Sequence, residues 1–150
     1  MIRVQQEDFD IGAEVRRLTA GRTDLGAIVT FTGTVRDTAN GVPIRSMTLE
    51  HYPGMTEAEL ARFEAEANAR WPLAASLIVH RHGRLLPGDN IVLVVTASAH
   101  RQAAFAAAAF LMDYLKTGAP FWKSEQTGDG TAHWVEAKAG DDAAAGRWKQ

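Results

Sequence analysis

Residues 90–125, NIVLVVTASAHRQAAFAAAAFLMDYLKTGAPFWKSE, hold a strand, a helix and a second strand in direct succession. The run 90–97 is short and rich in β-branched residues, which predicts a buried strand. A helix opens after Ser98 and continues to Thr117, with Phe105, Ala108, Met112 and Leu115 on one face, and Gly118 and Pro120 close it. Its alanines at 103, 104 and 106–109 let it lie close against a sheet or another helix. Residues 121–125 return to strand, paired with 132–137 around the loop Thr127-Gly128-Asp129-Gly130.

Upstream, residues 2–4 read as a short edge strand and 11–18 as a weak helix, with Asp10 as its N-cap and Gly21 as its stop. Residues 25–35 and 44–52 read as two strands paired as a hairpin. Between them 37–43, DTANGVP, predicts a mobile loop. A helix over 57–71 has Thr56 and Glu59 as a capping box, Pro72 as its end, and Leu60, Phe63, Ala67 and Trp71 on one face. Strands 76–82 and 90–97 flank a Pro-Gly turn in 83–89, and the small, polar segment 140–150 predicts a loose tail. Strands and helices alternate irregularly, with several hairpins. The fold class is therefore α+β, a single domain over 1–150 with an antiparallel or mixed sheet and two main helices, rather than a doubly wound parallel sheet.

The 150 residues are 46% hydrophobic and 23% charged, the composition of one globular domain with its own core. Sixteen basic and eighteen acidic residues give a net charge of −2, which argues against non-specific nucleic-acid binding. Residues 1–10 lack the apolar core of a signal peptide, and the longest apolar run, 103–112, is too short to span a bilayer. A cytoplasmic protein is expected. There is no cysteine, so any sulfur chemistry must import its sulfur.

His100 and Arg101 stand in the first turn of the long helix, where cations oppose the dipole at a cost of about a few tenths of a kcal/mol each. With the free N–H groups of that turn they would make an anion pocket, or else they are a core-edge histidine beside a solvated arginine. Lys116 suits the dipole of the last turn, and Lys123 follows the pair Phe121-Trp122; both also read as solvent charges. Arg36 ends a strand, where its fork can clamp phosphate or face water. His80 and His82 share a strand face and invite a metal, but neither HExxH nor a His–carboxylate cluster accompanies them. Nucleotide-binding glycine motifs and a GxSxG elbow are lacking.

Together, GAIVTFTGTVR (26–36), LEHYPGM (49–55), HRHG (80–83), PGD (87–89), SAHR (98–101), MDYLKTGAPFWK (112–123) and WVEA (134–137) resemble the large, catalytic subunit of molybdopterin synthase across nearly the whole chain. The resemblance implies an α/β-hammerhead-like fold and a sulfurtransferase of molybdenum-cofactor biosynthesis. Such an enzyme converts cyclic pyranopterin monophosphate (precursor Z) to molybdopterin by installing a dithiolene. Sulfur would come from the C-terminal thiocarboxylate of a small ubiquitin-like partner. The large subunits would form a homodimer within a heterotetramer, with no cofactor, metal, nucleic acid or membrane involved.

Lys116 and then Lys123 are the implied catalytic residues, acting by proton transfer, electrostatic stabilisation or a covalent intermediate. Both would also touch substrate, together with Thr34, Val35, Arg36, His100, Arg101, Ser124 and Glu125. Lys138, where the family commonly has Arg, would come from the neighbouring subunit, and Ser124 stands where a basic residue is often seen. A non-catalytic pterin- or phosphate-binding module is the alternative reading, and a purely structural assembly subunit a third.

Overall fold

The computed structural model describes residues 1–128, 130–135 and 139–149. At its centre β5 (Leu73–Arg81) and β7 (Asn90–Ser98) run antiparallel, with Leu77 opposite Val95, Ile78 opposite Val94 and Val79 opposite Leu93. Both strands are apolar at successive positions, which suits a strand covered on both faces. β1 (Ile2–Gln5) adds parallel to β5, and β2 (Ala27–Thr34) adds antiparallel to β7, giving the order β1-β5-β7-β2.

On one face of this sheet Phe9, Leu77, Val79, Leu93 and Val95 pack with α1 (Ile11–Thr19) through Ile11, Val15 and Leu18. On the other, Ile78, Val92 and Val94 pack with Leu60, Phe63 and Ala67 of α2 (Met55–Arg70) and with Phe110, Leu111 and Leu115 of α3 (Arg101–Thr117). The Asp10 carboxylate caps α1 by accepting the Ala13 N–H at 2.9 Å. Buried Glu14 ties α1 to β1 through an ion pair with Arg3.

A second sheet has the order β3-β4-β8-β9, from β3 (Thr38–Ala39), β4 (Val42–His51), β8 (Phe121–Thr127) and β9 (Ala132–Val135), with β6 (Gly83–Leu85) also paired to β4. The expected hairpin between 25–35 and 44–52 does not form, because β2 belongs to the first sheet and β4 to the second. The chain leaves the first sheet at Val35, whose N–H donates to the Asp89 carbonyl and whose carbonyl accepts from Gly88. The expected loop 37–43 is itself a hairpin of β3 and β4. Asn40 and Gly41 take positive φ, 52° and 78°, as a two-residue hairpin turn requires.

Two further expectations change. The Thr56–Glu59 capping box is not what starts α2: the helix begins at Met55, and Glu57 accepts the Gly54 N–H at 2.6 Å. Buried Thr56 instead accepts from the Tyr52 N–H and donates to the Pro120 carbonyl at 3.0 Å, tying the first turn of α2 to the link after α3. Within the segment expected to be loose, α4 (Ala139–Gly146) forms, and Trp148 packs edge-on against Trp71 and Phe110. The indole N–H of Trp148 donates to the Asp113 carboxylate at 2.7 Å. The architecture is α+β, as the element pattern predicts, and no helix among the described residues is long and apolar enough to cross a membrane.

Gly26 donates its N–H to Ser98 at the start of β2, and a Cβ there would overlap the Ala99 carbonyl oxygen. Gly26→Ala is expected to destabilise the protein by about 2 kcal/mol or more in urea unfolding. Gly41→Ala meets open space and only a backbone penalty, about 1 kcal/mol. The reverse order would contradict the packing at Gly26.

Candidate active site

Where the two sheets and the last turn of α3 converge they enclose a cavity of about 330 Å³. Each wall follows from local structure. β2 runs out at Thr34, buried Val35 is pinned to the Gly88–Asp89 turn, and exposed Arg36 follows at the rim. Leu115 anchors the end of α3 in the core, so the next residue, Lys116, reaches the cavity from an exposed position. On β8, alternate residues share a face, and Phe121, Lys123 and buried Glu125 all line the cavity, with Lys123 paired to Leu49 and Val135.

The cavity thus brings together Thr34, Val35, Arg36, Lys116, Lys123 and Glu125 of the expected residues. Ser124 is not among its lining: it falls on the other side of β8, opposite Thr48 and Trp134. His100 and Arg101 also lie elsewhere, exposed at the far end of α3. At 1.5 Å of rise per residue, Arg101 and Lys116 are about 22 Å apart along the helix axis. Lys138 lies outside the described residues.

The two strand histidines diverge: His82 lies against His51 with ring centroids 4.2 Å apart, whereas His80 enters the cavity wall. The sequence marks His80 only as a metal candidate, and its place in the wall follows from the β5 alternation that buries Ile78. The His80 ring stacks on Phe121 at 3.7 Å, and its Nδ1 lies 2.8 Å from the Arg81 carbonyl oxygen. That oxygen can only accept, so Nδ1 carries the proton and Nε2 a lone pair. Burial pushes the imidazole pKa down to about 4, aided by the charges of Lys116, His82 and Lys123 and opposed by the bond to Arg81. The site therefore combines three cations, the carboxylates of buried Glu125 and of Asp141, and a neutral imidazole around one concavity, the arrangement of an enzyme that handles an anionic small molecule.

Comparison with known proteins narrows that class. A family model described as MoaE protein matches residues 4–118. A molybdopterin synthase catalytic subunit from Mesorhizobium japonicum is 58% identical over 149 residues, 99% of this chain and 92% of that one. The subunit of that name from Escherichia coli is 52% identical, over 98% of this chain and 97% of its own. Among solved structures, the MoaE protein from Burkholderia ambifaria superposes with a TM-score of 0.84 at 54% identity, covering 99% of this chain and 97% of that one. Molybdopterin synthase from Staphylococcus aureus gives 0.82 at 33%, covering 89% and 96%. The chain belongs to the MoaE family, and it is an enzyme of molybdenum-cofactor biosynthesis.

His80 gains its proton near pH 6.5 in an unfolded chain but only near 4 in the fold. Between those values the unfolded state binds more protons, so stabilisation present above pH 6.5 is lost as pH falls toward 4. From pH 7 to pH 4.5 the unfolding free energy of the wild type should fall by roughly 2–3 kcal/mol more than that of His80→Phe. Equal losses in urea titrations would show that His80 is not buried neutral.

Proposed function

We propose that sulfur passes in this cavity from the C-terminal thiocarboxylate of a small ubiquitin-like partner onto cyclic pyranopterin monophosphate, building the dithiolene of molybdopterin. The observation that carries the reading is the convergence of Arg36, Lys116 and Lys123 on one cavity from three separate elements. A substrate bearing a phosphate and a donor bearing a thiocarboxylate both call for cations there. A chain without cysteine needs the sulfur brought in. A structure from Helicobacter pylori described as the complex of subunits 1 and 2 of molybdopterin-converting factor superposes with a TM-score of 0.72 at 20% identity; in this reading a small partner docks here too.

Arg36 at the rim takes the phosphate. Lys116, exposed at the mouth, meets the partner's tail, neutralising the thiocarboxylate and the oxyanion formed as its carbonyl is attacked. Lys123, set in the β8 wall, supplies or removes a proton as the cyclic phosphate opens and sulfur adds. In each transfer a carbon–sulfur bond forms on the pterin and a carbon–oxygen bond at the same carbon breaks, the oxygen staying with the opened phosphate in one transfer and leaving as water in the other. The bond between sulfur and the partner's carbonyl carbon breaks, and water turns that carbonyl into a carboxylate.

His100 and Arg101 enter through a second copy of the chain. Among the described residues β2 pairs only with β7, leaving its other edge open, with Ile28 and Phe31 exposed. Its start lies beside Ser98, next to His100 and Arg101, and its end, Thr34, lies at the cavity. Antiparallel pairing of two such edges about a twofold axis sets the start of one against the end of the other. Each copy's His100 and Arg101 then stand beside the other's Thr34–Arg36, and Lys138 is proposed to cross in the same way.

In a reconstitution with thiocarboxylated partner and precursor Z, Lys116→Ala should lower turnover roughly 100-fold or more, with far less effect on substrate affinity. If Lys116→Arg behaves as wild type, positive charge alone suffices and a specific amine is not required. If the wild type binds precursor Z but makes no product, the binding-module reading takes over. Co-expressed Arg101→Ala and Lys116→Ala chains should recover about a quarter of wild-type activity, because half of the dimers are mixed and each mixed dimer has one intact site. No recovery would place both residues in a site built by one chain.

A further inference from the structure

Three cations in the cavity can only donate hydrogen bonds, and they recognise the charged parts of a ligand. A flat heterocycle such as a pterin also carries N–H donors, which need an acceptor to be read. The carboxylates of Glu125 and Asp141 also line the cavity, and beside them His80 is its neutral imidazole acceptor, built into the wall. It is 7% exposed and lines the cavity, and its ring plane is fixed by Phe121 on one face and by the Nδ1 bond to the Arg81 carbonyl. Among the described residues no donor reaches its Nε2. Neighbouring ammonium groups and burial both disfavour protonation, so the lone pair is present throughout the physiological pH range.

We propose that His80 is a substrate-recognition residue whose Nε2 accepts a hydrogen bond from the pyrimidine-ring N–H edge of the bound pterin. This rests on the reading of the cavity as a pterin site. The orientation follows from placement and chemistry. Arg36 is exposed at the rim and takes the phosphate, and the pyrimidine ring is the end of the substrate farthest from that phosphate. The ring therefore points inward, where His80 lies. A ligand with an acceptor at that edge would set two lone pairs against each other and be rejected, which makes His80 a determinant of specificity.

The test is calorimetric titration of the wild type, His80→Phe and His80→Gln with a 6-substituted pterin monophosphate and, separately, with inorganic phosphate. His80→Phe keeps a flat ring against Phe121 and removes the acceptor; His80→Gln returns an acceptor to about the same reach. The pterin probe should bind roughly 10-fold more weakly to His80→Phe, with most of that loss restored in His80→Gln. Phosphate affinity should be the same in all three.

A second measurement needs only the wild type: methylating the probe at its pyrimidine N–H should weaken binding roughly 10-fold. Unchanged pterin affinity in His80→Phe, or an unchanged affinity for the methylated probe, overturns the role of His80. Parallel loss of pterin and phosphate binding in His80→Phe also overturns it, by assigning the histidine to the shape of the cavity. A wild type that binds phosphate but not the pterin probe overturns the pterin reading itself, and the His80 proposal with it.

Discussion

Leu77, Val79, Leu93 and Val95 lie on one side of the β5–β7 pair, and Ile78, Val92 and Val94 on the other, with nearly all of them sealed from solvent. A strand pair apolar on both faces tolerates no change of register, since a slip of one residue would exchange two different sets of packing partners. The strand β2, the helix α3 and His80, which build one side of the cavity, are set by this pair. β2 is held in antiparallel register along β7 until a bulge at Gly33 and Thr34 releases it toward Arg36. α3 packs on β2 and β7, which fixes where its last turn delivers Lys116. β8 approaches from the other sheet, and His80, at the end of β5, meets its Phe121 by ring stacking.

Elements that depend on local chemistry were legible in the sequence. The strand 90–97, the long helix to Thr117 and the Asp10 cap all have residue-level signatures and all form. What escaped depends on choices among distant partners. A strand at 44–52 is visible from its residues, but nothing in it says whether it pairs with 25–35 or with residues beyond 120; the crossing at Val35 decides, through hydrogen bonds to Gly88 and Asp89. Thr56 carries a capping signature and spends its hydroxyl on Pro120 instead. Residues 140–150 read as loose because their composition is small and polar, yet α4 packs along α3 and both Arg147 and the Trp148 indole bond to Asp113.

The candidate site divides along similar lines. Arg36, Lys116 and Lys123 were named from motifs and do meet in space. His100 and Arg101 share those motifs, but the rigid length of α3 holds them away from the cavity of their own chain. The alternation of β8 likewise removes Ser124 while keeping Lys123 and Glu125. His80 went unread as a site residue because a lone histidine in a strand has no local signature of lining a cavity. Only the stacking partner, forty-one residues farther on in sequence, gives the ring its place.

The docking of Trp148 has a consequence for how the protein is made. Its indole fills the space beside Trp71 and Phe110, on the same core to which α2 and α3 contribute. During synthesis that aromatic contact is missing until residue 148 has cleared the ribosomal exit tunnel, although β1 at the other end has long been available to pair with β5. Until then the nascent chain shows an aromatic gap beside Trp71 and Phe110 to chaperones and to other nascent chains.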